Sequence, residues 1–180
     1  MKPIVCAPNA ILTRHAQTVT TFDKRLEALI GEMRTSLLAT KNPKGVGLAA
    51  PQIGLPLRIF ITRPKEESAI RVFLNPEIIK RSDDMTDGVP ERENKLEGCL
   101  SIPKIWGKVK RAKTLTLQYR DEKGTVHKEE FSGFIATIIQ HETDHTNGIL
   151  FTQRVLEQKE KLYETGKDEE VKEVLEEITI

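Results

Sequence analysis

The segment His141-Glu142-Thr143-Asp144-His145 sets two imidazoles four residues apart with a carboxylate next to the first. In a helix, residues four apart share a face, so both rings can hold one divalent ion and Glu142 can reach a water bound to it. This is the spacing of a hydrolytic metal site with the glutamate as general base. The competing reading is a surface helix with two solvated histidines. Against it, Phe134, Ile135, Ile138 and Ile139 make the two preceding turns apolar. A helix of that kind is buried, and its polar side chains then need partners.

A catalytic ion of this type takes three protein ligands and leaves one position for water. No histidine follows His145, which excludes the motifs that extend the helix with a downstream one. His15 lies in an N-terminal arm and His127 within an alternating strand. Cys99 is the stronger candidate. Gly98 before it lets the backbone approach a ligand closely, and Pro103 keeps the loop off a regular ladder. A nucleophilic cysteine paired with a histidine is the alternative, and it leaves Glu142 and one imidazole without a role. Cys6, between Pro3 and Pro8, reads as a small buried apolar residue.

A single compact domain over 1–180 has to position these groups. With one Trp, two Tyr and six Phe, its core must be mostly aliphatic. A net charge of +1 gives no general attraction for nucleic acid or an anionic membrane, so no nucleic-acid specificity is expected. No apolar run approaches the roughly 20 residues that span a bilayer, and the first residues lack a secretory signal, which points to the cytoplasm. Leu26, Leu29, Ile30, Met33 and Leu37 recur at helical spacing over 23–39, with Asp23 as N-cap. A glycine-rich loop follows over 45–52, then apolar strands at 57–61 and 71–74. Residues 81–94 read as loop. Leu115, Leu117 and Tyr119 alternate with polar neighbours as in a half-buried strand, and a turn at 121–124 leads to a second one. Gly133 precedes the metal-binding helix and Asn147-Gly148 ends it. In the charge-rich tail, Val171, Val174, Leu175 and Ile178 make a narrow stripe suited to a helix on the body. The whole predicts an α+β fold, antiparallel sheets around a buried central helix carrying His141 to His145, with a charged C-terminal helical extension over 153–180.

Gly45-Val46-Gly47-Leu48-Ala49-Ala50-Pro51-Gln52, Glu97-Gly98-Cys99-Leu100-Ser101 and Gln140-His141-Glu142-Thr143-Asp144-His145 resemble, in order, the three signature motifs of the peptide deformylase family. Looser similarity runs from the N-terminal arm to about residue 150. The resemblance implies a hydrolase that removes the formyl group from the N-terminal formyl-methionine of nascent proteins and releases formate. It also implies Cys99, His141 and His145 as metal ligands. Fe2+ is the family's physiological ion, with Zn2+, Ni2+ or Co2+ also able to occupy the site, and a mixed thiolate–imidazole set does not choose among them. In that chemistry a metal-bound hydroxide attacks the formyl carbon while Glu142 serves as base and then as acid. By resemblance the oxyanion donors are the Gln52 side-chain amide and the Leu100 backbone N–H.

The glycine-rich loop lacks the Lys-Ser/Thr of a phosphate cradle, and its backbone at Val46 and Gly47 suits pairing with an extended peptide. Gly98 also lies beside the substrate, and Val46, Phe134, Thr137, Ile138 and His141 are candidate walls for a methionine side chain. Asp144 is expected to orient a ligating ring, and Glu97 with Arg111 to form an ion pair beneath the Cys99 loop. Two positions depart from the family pattern: Thr146 stands where Leu is usual, and Trp106 follows the cysteine motif where substrate passes. The expected partners are N-formylmethionyl nascent peptides and, through the tail, the ribosome. The setting is a bacterial cytoplasm, or an organelle in a eukaryote. Two rivals stand beside this reading: a related amidase or peptidase for another short acylated substrate, and a non-catalytic, ribosome-associated metal-binding module.

Overall fold

Asp23 sets the start of helix α1 (Lys24–Leu38), its carboxylate accepting hydrogen bonds from the backbone N–H groups of Arg25 and Leu26. The computed structural model describes residues 1–41, 43–167 and 173–178. After α1 come strands β1 (Gly47–Ala49), β2 (Ile59–Thr62), β3 (Arg71–Arg81), β4 (Glu97–Cys99), β5 (Ile102–Gly107), β6 (Thr114–Arg120) and β7 (Val126–Ser132). Helices α2 (Phe134–Thr146) and α3 (Phe151–Glu157) follow, and then strands β8 (Leu162–Lys167) and β9 (Glu173–Glu177). One sheet has the order β1-β2-β3-β6-β7 and the other β4-β5-β8-β9. Every named ladder is antiparallel.

Helix α2 packs against β1, β2, β3 and β7. Period-2 alternation in β2 explains why the sheet is apolar on both sides. Ile59 and Ile61 face Ile30, Met33 and Leu37 of α1, while Phe60 faces Phe73, Leu117 and, on α2, Ala136 and Ile139. Burying one such large apolar side chain contributes about 1.5–3 kcal/mol, so the first cluster holds α1 against the sheet and the second holds the start of α2. A third cluster joins Cys99 to Val109, Phe151, Val155 and Leu162, which ties the cysteine loop to α3 and β8.

Three expectations need correction. Strand β3 runs past the apolar stretch to Arg81, because the polar residues from Glu77 onward pair with β6 through an irregular register. The C-terminal helix is the short α3, and among the described residues beyond it no helical extension forms. There the described residues make the β8–β9 hairpin, with β8 added to the edge of β5. In a strand Val174 and Leu175 point to opposite faces, and pairing with β8 overrides the helical periodicity. Val171 lies outside the described residues. Cys6, finally, is exposed rather than buried. The backbone around it is what docks: Val5 N–H donates to the Gln52 carbonyl at 2.8 Å and Ala7 N–H to the Ser101 carbonyl at 2.9 Å.

Candidate metal centre

Helix α2 starts after Gly133, whose φ of 68° suits a residue without Cβ, and closes at Asn147, whose N–H reaches the carbonyls of the last turn. Between these ends His141 and His145 stand on one face with ring centroids 4.9 Å apart. Strand β4 brings the cysteine to them. A register shift between Gly98 and Cys99 breaks the β4–β5 ladder at that point and turns the thiol inward. The ligand atoms of Cys99, His141 and His145 all lie within 4.8 Å of one another. The Cys99 sulfur is 3.2 Å from His145 Nε2, and both residues are buried. One cysteine sulfur and two imidazole nitrogens brought together away from water are a donor set that fits a divalent transition ion.

A buried ion-pair network supports this face. His141 Nδ1 lies 2.6 Å from Glu97 Oε1, so a proton on Nδ1 leaves Nε2 to coordinate. Arg111 donates to both oxygens of Glu97, at 2.8 and 2.6 Å, and to Asp144 Oδ2 at 3.0 Å. Arg154 closes the other side of Asp144 at 2.8 Å. Burial alone would raise the Glu97 carboxyl, but the Arg111 guanidinium and the His141 ring overcome it and hold the group well below the usual carboxylate range. The carboxylate on the His141 ring is therefore Glu97. Asp144, expected in that role, contacts two arginines instead, because its position on the helix points it toward Arg111 and α3. His145 Nδ1 is buried without a hydrogen-bond partner among the described residues.

Glu142 is 4 % exposed, and its Oε2 has no hydrogen-bond partner among the described residues. Burial pushes its carboxyl up to about 7. Gln52 sits in the short 3-10 helix after β1. Its Oε1 accepts the Ala49 N–H at 2.9 Å, which aims Nε2 toward Ser101 Oγ at 3.2 Å and the Cys99 sulfur at 3.5 Å. Leu100 follows Cys99 directly in the same turn. Ser101, fully buried, also donates its N–H to the cysteine sulfur at 3.4 Å.

One cleft opens on these groups. Val46, Gly47, Gly98, Phe134, Thr137 and Ile138 line it together with Gln52, Cys99, Leu100, His141 and Glu142. Val89, Arg92 and Trp106 also line it. Sequence reasoning overlooked Val89 and Arg92, which sit in a polar segment with no periodicity to mark them. The Ser101–Gln52 and Arg154–Asp144 contacts were equally unmarked, since each joins segments that meet only in the fold. Thr146, the departure at the helix end, is fully buried and donates to the Thr143 carbonyl at 2.9 Å, so its hydroxyl is satisfied within the helix.

A family model described as polypeptide deformylase matches residues 1–161. Among curated relatives, the peptide deformylase of Dehalococcoides mccartyi is 34% identical over 170 residues, which is 94% of this chain and 95% of that protein. Peptide deformylase 1 of Bacillus subtilis is 36% identical over 155 residues, covering 86% of this chain and 90% of its own length. Among solved structures, a Met-Ala-Ser-bound class I type b peptide deformylase from Acinetobacter baumannii aligns with a TM-score of 0.76 at 34% identity, covering 86% of this chain and 98% of that one.

Proposed function

This chain belongs to the polypeptide deformylase family, and from that membership and the cleft geometry we propose how its residues divide the work of deformylation. It is a metal-dependent hydrolase that removes the N-formyl group from nascent peptides. Cys99, His141 and His145 would hold a single ion. When bound, that ion supplies the Lewis acidity that makes a water nucleophilic at neutral pH. The observation that carries the reading is the convergence of these ligand atoms beside a buried carboxylate with one unpaired oxygen.

Glu142 takes the proton of the attacking water on its carboxylate and returns it to the departing amine. A dication held by the adjacent ligands would offset the burial that raises this group, favouring the carboxylate form that accepts a proton. The tetrahedral oxyanion is met by Gln52 Nε2 and the Leu100 backbone N–H. Ala49 and Ser101 fix the Gln52 amide so that its N–H side faces the reacting centre. The peptide lies extended between Val46–Gly47 on one side and Gly98 of β4 on the other, with main-chain pairing as in strand addition. Phe134, Thr137 and Ile138 wall the slot for the methionine side chain.

The ion in the cell is Fe2+, with Zn2+, Ni2+ or Co2+ taking the site in aerobically purified protein. The protein acts in the bacterial cytoplasm, and its charge-rich tail associates with the ribosome, where the substrate emerges. A ferrous centre next to a thiolate is oxygen-sensitive. Anaerobic purification should therefore yield iron and high formate release from a formyl-Met tripeptide, and exposure to air should lower both together. Zinc in anaerobic protein, with full activity that air does not change, would contradict the assignment of iron.

A further inference from the structure

Beyond the catalytic groups, the cleft wall carries a cation with no carboxylate partner among the described residues. Arg92 lines the cleft together with Trp106, and the same two residues, with Glu93 and Asn94, line an open hollow beside it. An extended peptide reaching from the metal centre toward that hollow would pass both. The guanidinium carbon of Arg92 stands 5.3 Å from the centroid of the Trp106 ring, and Nη1 donates to the Leu96 carbonyl at 2.9 Å. Among the described residues Arg92 forms no ion pair. Of the other charged side chains on the cleft wall, Lys44 pairs with Glu66 at 2.9 Å and Glu97 with Arg111 at 2.6 Å, while Glu142 stands unpaired at the metal centre among the described residues. Glu93 is exposed and forms no ion pair with Arg92.

The tryptophan beneath this cation is fixed in place. A Cβ on Gly98 would lie 2.7 Å from its ring carbons, so the indole rests directly on the strand that carries Cys99. Its Nε1 donates to Thr165 Oγ1 at 2.8 Å. Thr165 belongs to β8, beyond residue 161 where the family match ends. The C-terminal hairpin thus braces a piece of the cleft wall that the family motifs do not include.

We propose that Arg92, held on the Trp106 ring, selects substrates with an acidic side chain in the two residues after formyl-methionine. The proposal rests on the deformylase reading and adds a substrate preference to it. Burial disfavours the Arg92 charge, with Glu97 only partly compensating, so an arriving carboxylate finds a partly desolvated donor. A lysine at the same place meets like charge.

The test compares kcat/KM at low salt for formyl-Met-Asp-Ser against formyl-Met-Lys-Ser, and for formyl-Met-Ala-Asp against formyl-Met-Ala-Lys. Formyl-Met-Ala-Ser reports deformylation itself. At one of the two positions the acidic peptide should be favoured about fivefold, the upper end for a partly exposed ion pair. The ratio should fall toward one in Arg92→Gln and persist in Arg92→Lys. A merely structural role would slow all peptides alike and leave the ratio unchanged. Turnover of formyl-Met-Ala-Ser with equal rates for acid and lysine at both positions, or the same ratio in Arg92→Gln, would overturn the proposal. No formate from any formyl peptide would overturn the deformylase reading, and this preference with it.

Discussion

Gly47 on β1 faces Glu142 on α2 so closely that a Cβ at residue 47 would lie 2.3 Å from Glu142 Oε1 and 2.8 Å from its carboxyl carbon. The glycine is what lets the strand pass under the general base. In Gly47→Ala the carboxylate must swing aside. Because it is the end of a rotatable side chain, the fold should tolerate the change while the base is displaced. Such a displacement should lower kcat by about a hundredfold, with metal content and thermal midpoint close to wild type. Steady-state kinetics beside metal analysis and a melting curve would check it. A stable, metal-loaded variant with wild-type kcat would show that the position of Glu142 does not matter.

The bond from His141 to Glu97 should set metal affinity. Glu97→Gln keeps the shape but removes the charge that fixes the ring and its tautomer. The expected result is a loss of about 10- to 100-fold in metal affinity. Competition with a chelator of known affinity would measure it.

The same carboxylate should appear in acid stability. Glu97 has a folded pKa far below its ordinary 4.5. Its contribution is therefore present above the unfolded value and is lost as pH falls through the range between the two. Chelator-treated wild-type protein should lose stability from about pH 5 to pH 3 more steeply than chelator-treated Glu97→Gln, measured by urea unfolding. Parallel curves would mean that the Arg111 pair does not hold the group ionised.

Ser101 should act through Gln52. In Ser101→Ala the Gln52 amide keeps its bond from Ala49 but loses an acceptor on Nε2. One neutral hydrogen bond of this kind contributes roughly 1 kcal/mol, so kcat should fall about fivefold with KM little changed. A change in KM alone would place Ser101 in substrate binding instead.

Helix α1 and the metal-binding helix were legible in the sequence because caps and apolar spacing are local: Asp23 marks one start, and Gly133 and Asn147 bracket the other. That Cys99 meets His141 and His145 beside Glu142 was legible because few residue types can serve as ligand or base. What the sequence hid depends on which segments meet. Asp144 looked like a ring-orienting carboxylate, yet Glu97, 44 residues before His141, occupies that place. Arg154 and Ser101 gave no local sign of their partners. The tail misled because Val174, Leu175 and Ile178 also satisfy a helical stripe. Only pairing with β8, itself added to the edge of β5, makes a strand the better use of Val174 and Leu175.

The most direct test measures formate from formyl-Met-Ala-Ser, and acetate from acetyl-Met-Ala-Ser, with wild type and Glu142→Ala at equal metal content. The account requires formate release by wild type and little acetate. It also requires a fall of about 10²- to 10⁴-fold in the variant, the usual share of a general base. Acetate release without formate, or undiminished formate release by Glu142→Ala, would contradict it.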